Sequence, residues 1–302
     1  MKKIVVTTTI NEPTEALKRY SQLEDWQLVV VPDLKTPEEK YKDLDCYYLS
    51  IEEQKDSYTE ISNYIGWNKT ERRNLGYIKA YEMGADIIAT VDDDNIPYTD
   101  WGKNVVLDEE IEVHTYENLN GFFDPLSVTN KSYMWHRGYP LQLVNNRHEN
   151  IYLGKKKGTF LVQADLWNGE PDLDAVFRLT HKYDNEENFN ITESYTSVNI
   201  NPFNSQNTFI HRKAIKDYMM ITEVGRIQDI WASYWLQKKT GANVLYGKAS
   251  VFQRRNNHVL LNDYKDEYKT YHLSLDFIED KLDKQLTEHI LEGYEIYGSY
   301  FK

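Results

Sequence analysis

Three adjacent aspartates follow a short apolar run in Val91-Asp92-Asp93-Asp94-Asn95. Three neighbouring carboxylates repel one another unless water or a cation neutralises them. Hard oxygen donors suit Mg²⁺ or Mn²⁺, which commonly bind one or two carboxylates together with substrate phosphates. The plain alternative is an exposed acidic turn. Arg72 and Arg73 stand a short way upstream, near the start of a predicted helix, against the preference of the helix dipole for acids there. With the helix amides they point to an anion such as a diphosphate; the plain alternative pairs them with Glu71 or Asp86. Asp229, in Gly225-Arg226-Ile227-Gln228-Asp229-Ile230-Trp231, opens another predicted helix. It reads either as a cap or as a general base. His258, after Arg254-Arg255-Asn256-Asn257, reads as a metal ligand through its neutral imidazole or as an unliganded loop histidine. Two segments dense in hydrogen-bonding groups, 170–180 and 201–207, suit either sugar contact or turns closed by Asn and Asp side chains.

The elements that position these residues are legible first in the N-terminal hundred residues. Ile4–Thr8 is a β-branched run without helical period, as expected of a buried parallel strand. A helix from Glu15 to about Leu23, a strand at Trp26–Val31 and a short strand at Tyr47–Leu49 follow. Thr70 is expected to cap a helix that runs to Met83 and ends at Gly84. Asp86–Val91 is the strand that delivers the aspartates. Strand and helix alternate, which predicts a doubly wound α/β sheet with ligands bound at the carboxyl ends of its strands. From Asn95 to Phe209 the expectation is loops and short strands, with Lys155-Lys156-Lys157 as a solvated turn. Helices are expected at Arg212–Met219 and Asp229–Lys239, and strands at Val244–Tyr246 and Ser250–Phe252. Ser274 is expected to cap a last helix presenting Ile278, Leu282, Leu286 and Ile290 on one face and ending at Gly293.

The 302-residue chain carries 48 acidic and 35 basic side chains, a formal charge of −13. That balance disfavours nucleic acid, which needs a basic stripe to displace counterions. It leaves room for a small anion held by local cations. The single cysteine, Cys46, excludes an internal disulfide and a cysteine-based zinc site. No apolar run approaches the ~18 residues of a membrane span. The apolar start at Ile4 gives way to Thr7-Thr8-Thr9 too early for a signal peptide.

Taken in order, the clusters resemble a nucleotide-sugar glycosyltransferase of the GT-A fold: a first strand, a helix opening with Arg73-Asn74-Leu75-Gly76, an Asp-x-Asp motif at Asp92 and Asp94, and a later acid–helix–strand–His element. The stretch from Asn207 through Gln228-Asp229 to His258 resembles family 2 enzymes, with Gln228 in place of the usual first acid. A closer resemblance is to the plant STELLO glycosyltransferases. It is carried by Val5–Asn11, Tyr48-Leu49-Ser50, Arg73–Tyr77, Gly84-Ala85, Asp92–Asn95, Pro171–Thr180, Asn201–Asn207 and Asp229-Ile230-Trp231. The reversibly glycosylated polypeptides, which are UDP-arabinopyranose mutases, are similar at greater distance. The resemblance implies a GT-A domain over residues 1–270 with a C-terminal helical extension, 271–302, packed on it. It implies a metal-dependent, inverting transfer from a nucleoside-diphosphate sugar, UDP foremost, to a hydroxyl acceptor. Mn²⁺ or Mg²⁺ would be held by Asp94, Asp92 and His258. Thr8, Thr9 and Asn11 would contact the nucleoside, and Asp33 the base or ribose. Asp93 would lie on the donor, Arg73 would meet its diphosphate, and Asp229 would take the acceptor's proton. A nucleotide-sugar mutase and an inactive nucleotide-sugar binding protein are the alternatives. The plant enzymes are anchored in the Golgi; with no anchor in view, a cytoplasmic location is expected here.

Overall fold

The computed structural model describes residues 1–184, 186–254 and 259–302. Strand β1 (Lys3–Thr9) pairs in parallel with β2 (Gln27–Pro32), with helix α1 (Glu15–Tyr20) between them. A short β3 (Tyr47–Tyr48) extends that edge, followed by α2 (Ile51–Asp56) and α3 (Thr59–Ile65). Helix α4 (Arg73–Glu82) leads to β4 (Ile87–Val91), which pairs in parallel with the other side of β1. Both faces of these strands are covered: Val5 and Val30 pack into one core, Ile4, Val6, Val29 and Val31 into the other. Two-sided burial is why the strands read as unbroken apolar runs rather than as alternations.

Beyond β4 the sheet becomes mixed. In chain order come β5 (Asn95–Pro97), β6 (Glu110–Asn118), β7 (Asn150–Thr159), β8 (Val162–Gly169), α5 (Ala175–Thr180), β9 (Tyr195–Ser197), β10 (Asn207–His211), α6 (Gln228–Thr240), β11 (Val244–Gln253), α7 (Leu260–Ile278) and α8 (Lys284–Gly298). The eleven-stranded sheet runs β3-β2-β1-β4-β10-β8-β11-β9-β6-β7, with β5 pairing to β11. The expected α/β class therefore holds, as a mixed sheet flanked by helices with C-terminal helices added, consistent with a GT-A-like fold.

Several local expectations are corrected. The middle of the chain holds the long strands β6, β7 and β8 besides the expected loops and short strands. Lys155–Lys157 lie within β7, where Lys157 pairs with Glu110 on β6 and Lys155 with Glu193. Cross-strand opposite charges make a charged run compatible with a strand. Residues 212–219 form only a 3₁₀ turn at Ile215–Asp217; Arg212 is instead drawn to the Ala85 carbonyl and over the Tyr81 ring. Thr70 is not a side-chain cap. Residues Thr70–Arg72 form a 3₁₀ turn before α4, and the Lys69 amide donates to Asp33. Gly84 does end that region, with φ at +80°. The two expected strands after α6 are one strand, β11, with a register shift between Gly247 and Val251. Ser274 lies inside α7, its hydroxyl donating to Thr270 and accepting the Trp231 indole N–H. The last helix, α8, is capped instead by Asp283 and runs past Gly293 to Gly298, so the expected single helix is two.

Candidate active site

Strand β4 ends at Val91 and leaves the three aspartates at the edge of a cavity of about 700 Å³. Each is placed differently. Asp92 accepts a 2.6 Å bond from Arg73 Nη2. Asp93 turns toward the end of β1, where Thr9 Oγ1 and Asn11 Nδ2 donate to one of its oxygens. The Thr14 hydroxyl holds its backbone carbonyl. The Asp94 carbonyl accepts the Arg254 amide at 3.1 Å, tying the acidic turn to the end of β11.

Arg73 reaches the cavity because α4 packs tightly on the sheet. Gly76 faces β1 and β2 so closely that a Cβ there would lie 2.4 Å from Val6 Cγ1 and 2.7 Å from Val31 Cγ2. The buried Arg73 guanidinium also donates from Nη1 to the Ser205 carbonyl and hydroxyl, at 3.0 and 2.9 Å. Burial opposes its charge, but Asp92 beside it outweighs that, and its pKa is raised. Burial likewise raises Asp92, with the Arg73 charge opposing and the Asp229 and Asp93 charges adding. Arg72, its neighbour in sequence, turns away. It is fully buried against Gln54, Ser62 and the Gly66 carbonyl, and lies 3.6 Å over the Trp67 ring. Burial lowers its pKa to about 10.

The opposite wall is built around Arg137, which sequence reasoning missed. Its Nε donates to both oxygens of Asp172, at 3.0 and 2.9 Å. Nη1 and Nη2 donate to the two oxygens of Asp229, at 3.1 and 2.9 Å. Burial opposes the Arg137 charge, and the two carboxylates outweigh it, so its pKa is raised well above the ordinary value. Asp229 also accepts the Ser205 amide and hydroxyl and the Ile230 amide. It thus lies buried, accepting five hydrogen bonds, at the start of α6. The signal for Arg137 was a single charge inside the aromatic stretch Tyr133–Tyr139. Such a charge is buried by its neighbours and then requires carboxylate partners. Gly138, at φ +85°, lets that stretch pass against α6, where a Cβ would lie 2.4 Å from Ile230 Cγ2.

Of the residues expected in the site, Thr8, Arg73, Asp92, Asp93, Asp94 and Asp229 line this one cavity. Thr8 does so while its hydroxyl donates to the Val31 carbonyl. Thr9, Asn11 and Asp33 stand behind the lining: the first two hold Asp93, and Asp33 accepts the Lys69 and Leu34 amides. His258 lies outside the described residues. The two hydrogen-bonding segments supply Asp172, Ser205 and Gln206 to the lining, and Asn204 donates to Asp172. The outer wall carries Lys69, Glu223, Arg226, Asp266 and Lys269.

The chain is similar to two plant STELLO proteins. It is 28% identical over 255 residues to the probable glycosyltransferase STELLO1 and 27% identical over 255 residues to the probable glycosyltransferase STELLO2, both from Arabidopsis thaliana. Each match covers 78% of this chain and 33% of the relative, so the chain spans about a third of the length of these curated relatives. No family model matches the chain. The resemblance to the STELLO proteins noted from the motifs is therefore found across most of the sequence. Among the described residues, no helix is long and apolar enough to cross a membrane.

The lining carries more carboxylates than cations. Five cationic and eight acidic side chains are among the described residues that line the cavity. A phosphorylated ligand entering that excess of negative charge requires a counter-ion. Yet no group of three His, Cys, Asp or Glu side chains among the described residues could hold an ion unaided. Mg²⁺ and Mn²⁺ sites of that kind complete their shell with water and substrate phosphate oxygens.

Proposed function

We propose that this chain is a metal-dependent glycosyltransferase that transfers a sugar from a nucleoside-diphosphate sugar, most consistent with UDP, to a hydroxyl acceptor with inversion. The observation that carries this reading is the convergence, in one cavity, of the β4 carboxylates, Arg73 and Asp229. The similarity to proteins named probable glycosyltransferases supports it.

Asp94 and Asp92, which line the cavity, would hold Mn²⁺ or Mg²⁺, with His258 as the expected third ligand. A divalent ion supplies Lewis-acid stabilisation of a departing diphosphate. Arg73, already fixed by Asp92 and Ser205, presents its guanidinium to the same phosphates; its buried Nε has no protein partner. Thr9 and Asn11 orient Asp93. Thr8 lines the nucleoside side of the cavity, and Asp33 sets the loop at Lys69. Asp229 is the proposed base. To take the acceptor's proton it must give up one of the five bonds it accepts.

The test is turnover of a UDP-sugar panel with Mn²⁺. Asp94→Ala is expected to abolish metal-dependent turnover. Activity that persists in this variant without metal contradicts the metal assignment. Interconversion of the nucleotide sugar with no acceptor present would mark a mutase instead.

A further inference from the structure

Buried polar groups in folded proteins are nearly always paired, and an exception asks for a reason. Gln253 is such an exception. It is the last residue of β11 and only 4% exposed, yet its carboxamide oxygen has no hydrogen-bond partner. It lines the cavity. Its backbone is clamped from two sides: it pairs with Asn95 and Gly169, and its carbonyl accepts the Glu170 amide at 3.2 Å. Gly169 approaches so closely that a Cβ there would lie 2.4 Å from the Gln253 carbonyl oxygen. The side chain is therefore held at the cavity by a rigid strand end. A second carboxamide in the same cavity, Gln228, donates to Thr70 Oγ1 and leaves its own buried oxygen without a partner.

We infer that Gln253, with Gln228, is the specificity-determining group that reads the hydroxyls of the transferred sugar, and that this sugar is neutral. The inference rests on the donor reading proposed above. A carboxamide offers an acceptor and two donors, which matches a sugar hydroxyl. A phosphate offers only acceptors and is poorly matched to an orphan carbonyl oxygen. The location selects the donor's sugar over its nucleoside, because the residue after Gln253 donates its amide to Asp94. Charge selects a neutral sugar. The buried guanidinium of Arg137 is already engaged by Asp172 and Asp229, and that of Arg73, paired with Asp92, is the one proposed above to meet the diphosphate. A uronic acid would bring another carboxylate into a cavity that already has an acidic excess.

The experiment compares UDP, UDP-glucose, UDP-galactose and UDP-glucuronate, titrated with Mn²⁺ into the wild-type chain, Gln253→Met and Gln253→Ala. Thermal melting checks that each variant folds. In the wild type, at least one neutral UDP-hexose is expected to bind more tightly than UDP-glucuronate. In Gln253→Met, of similar shape, affinity for that hexose falls roughly tenfold, the scale of one good hydrogen bond. Affinity for UDP stays within about twofold, and acceptor KM does not change. Equal loss for UDP and UDP-hexose, no loss for either, or a change confined to acceptor KM overturns the inference. So does wild-type UDP-glucuronate binding as tightly as the hexoses, a result that needs no variant. No binding of UDP to the wild type is a separate failure: it removes the donor reading itself.

Discussion

At the residue scale, the site is held by buried arginines paired with carboxylates. Arg137 joins Asp172 to Asp229, and all three are buried. Removing one member of a buried ion pair leaves an uncompensated charge and costs about 3–5 kcal/mol. Arg137→Ala should therefore lower unfolding stability by about that amount in urea titrations; a loss below about 1 kcal/mol would mean that water compensates the two carboxylates. Asp229→Asn keeps the shape but not the charge. It should remove sugar transfer while nucleotide binding persists, and unchanged transfer would refute the base role. The acidic triplet and Asp229 were visible in sequence because carboxylates crowded after an apolar strand, or set at a helix start, are unusual. Arg137 was not visible, because its partners Asp172 and Asp229 are distant in sequence and only folding brings them together.

At the element scale, α4 and α5 show how the site is carried. Gly76 allows α4 to seat Arg73 against β1 and β2, and overpacking at such a contact typically costs ~1–3 kcal/mol. Gly76→Ala should lower the denaturation midpoint and weaken nucleotide binding together; loss of neither would show that Val6 and Val31 give way freely. Helix α5 is capped by Asp174, which accepts the Phe177 amide and the Trp135 indole N–H. Burial, with Glu267 adding, raises the Asp174 acid to about 7. Its folded pKa lies above its unfolded one, so its favourable contribution is full below about pH 4 and is lost as pH rises toward 7. Asp174→Asn removes that ionisation. The variant's melting temperature relative to wild type should therefore rise between pH 5 and pH 8, and a constant difference contradicts the assignment. The first βαβ units were legible because two-sided burial leaves unmistakable apolar runs. The antiparallel β6–β7 pair was not, because its exposed strands carry Lys and Glu whose pairing across strands cannot be seen along the chain. The α7–α8 break was also hidden: Ser274 looks like a cap, but Trp231 and Thr270 satisfy it within the helix.

At the scale of the whole molecule, the formal charge of −13 is partly concentrated in one cavity with an acidic excess. That concentration disfavours a bare anionic ligand and favours one that arrives with a divalent ion. The coupling makes a direct prediction about stability. A ligand bound only by the folded state stabilises it by mass action, about 2.7 kcal/mol at a hundred times its Kd. UDP and Mn²⁺ together should therefore raise the melting temperature by several degrees, more than either alone. The most direct measurement is a calorimetric titration of UDP into the full chain, once with Mn²⁺ and once with a chelator, repeated on Asp94→Ala. Saturable binding that requires Mn²⁺ in the wild type and disappears in Asp94→Ala is the predicted result. UDP binding of equal strength with the chelator, or no UDP binding under either condition, would contradict the account.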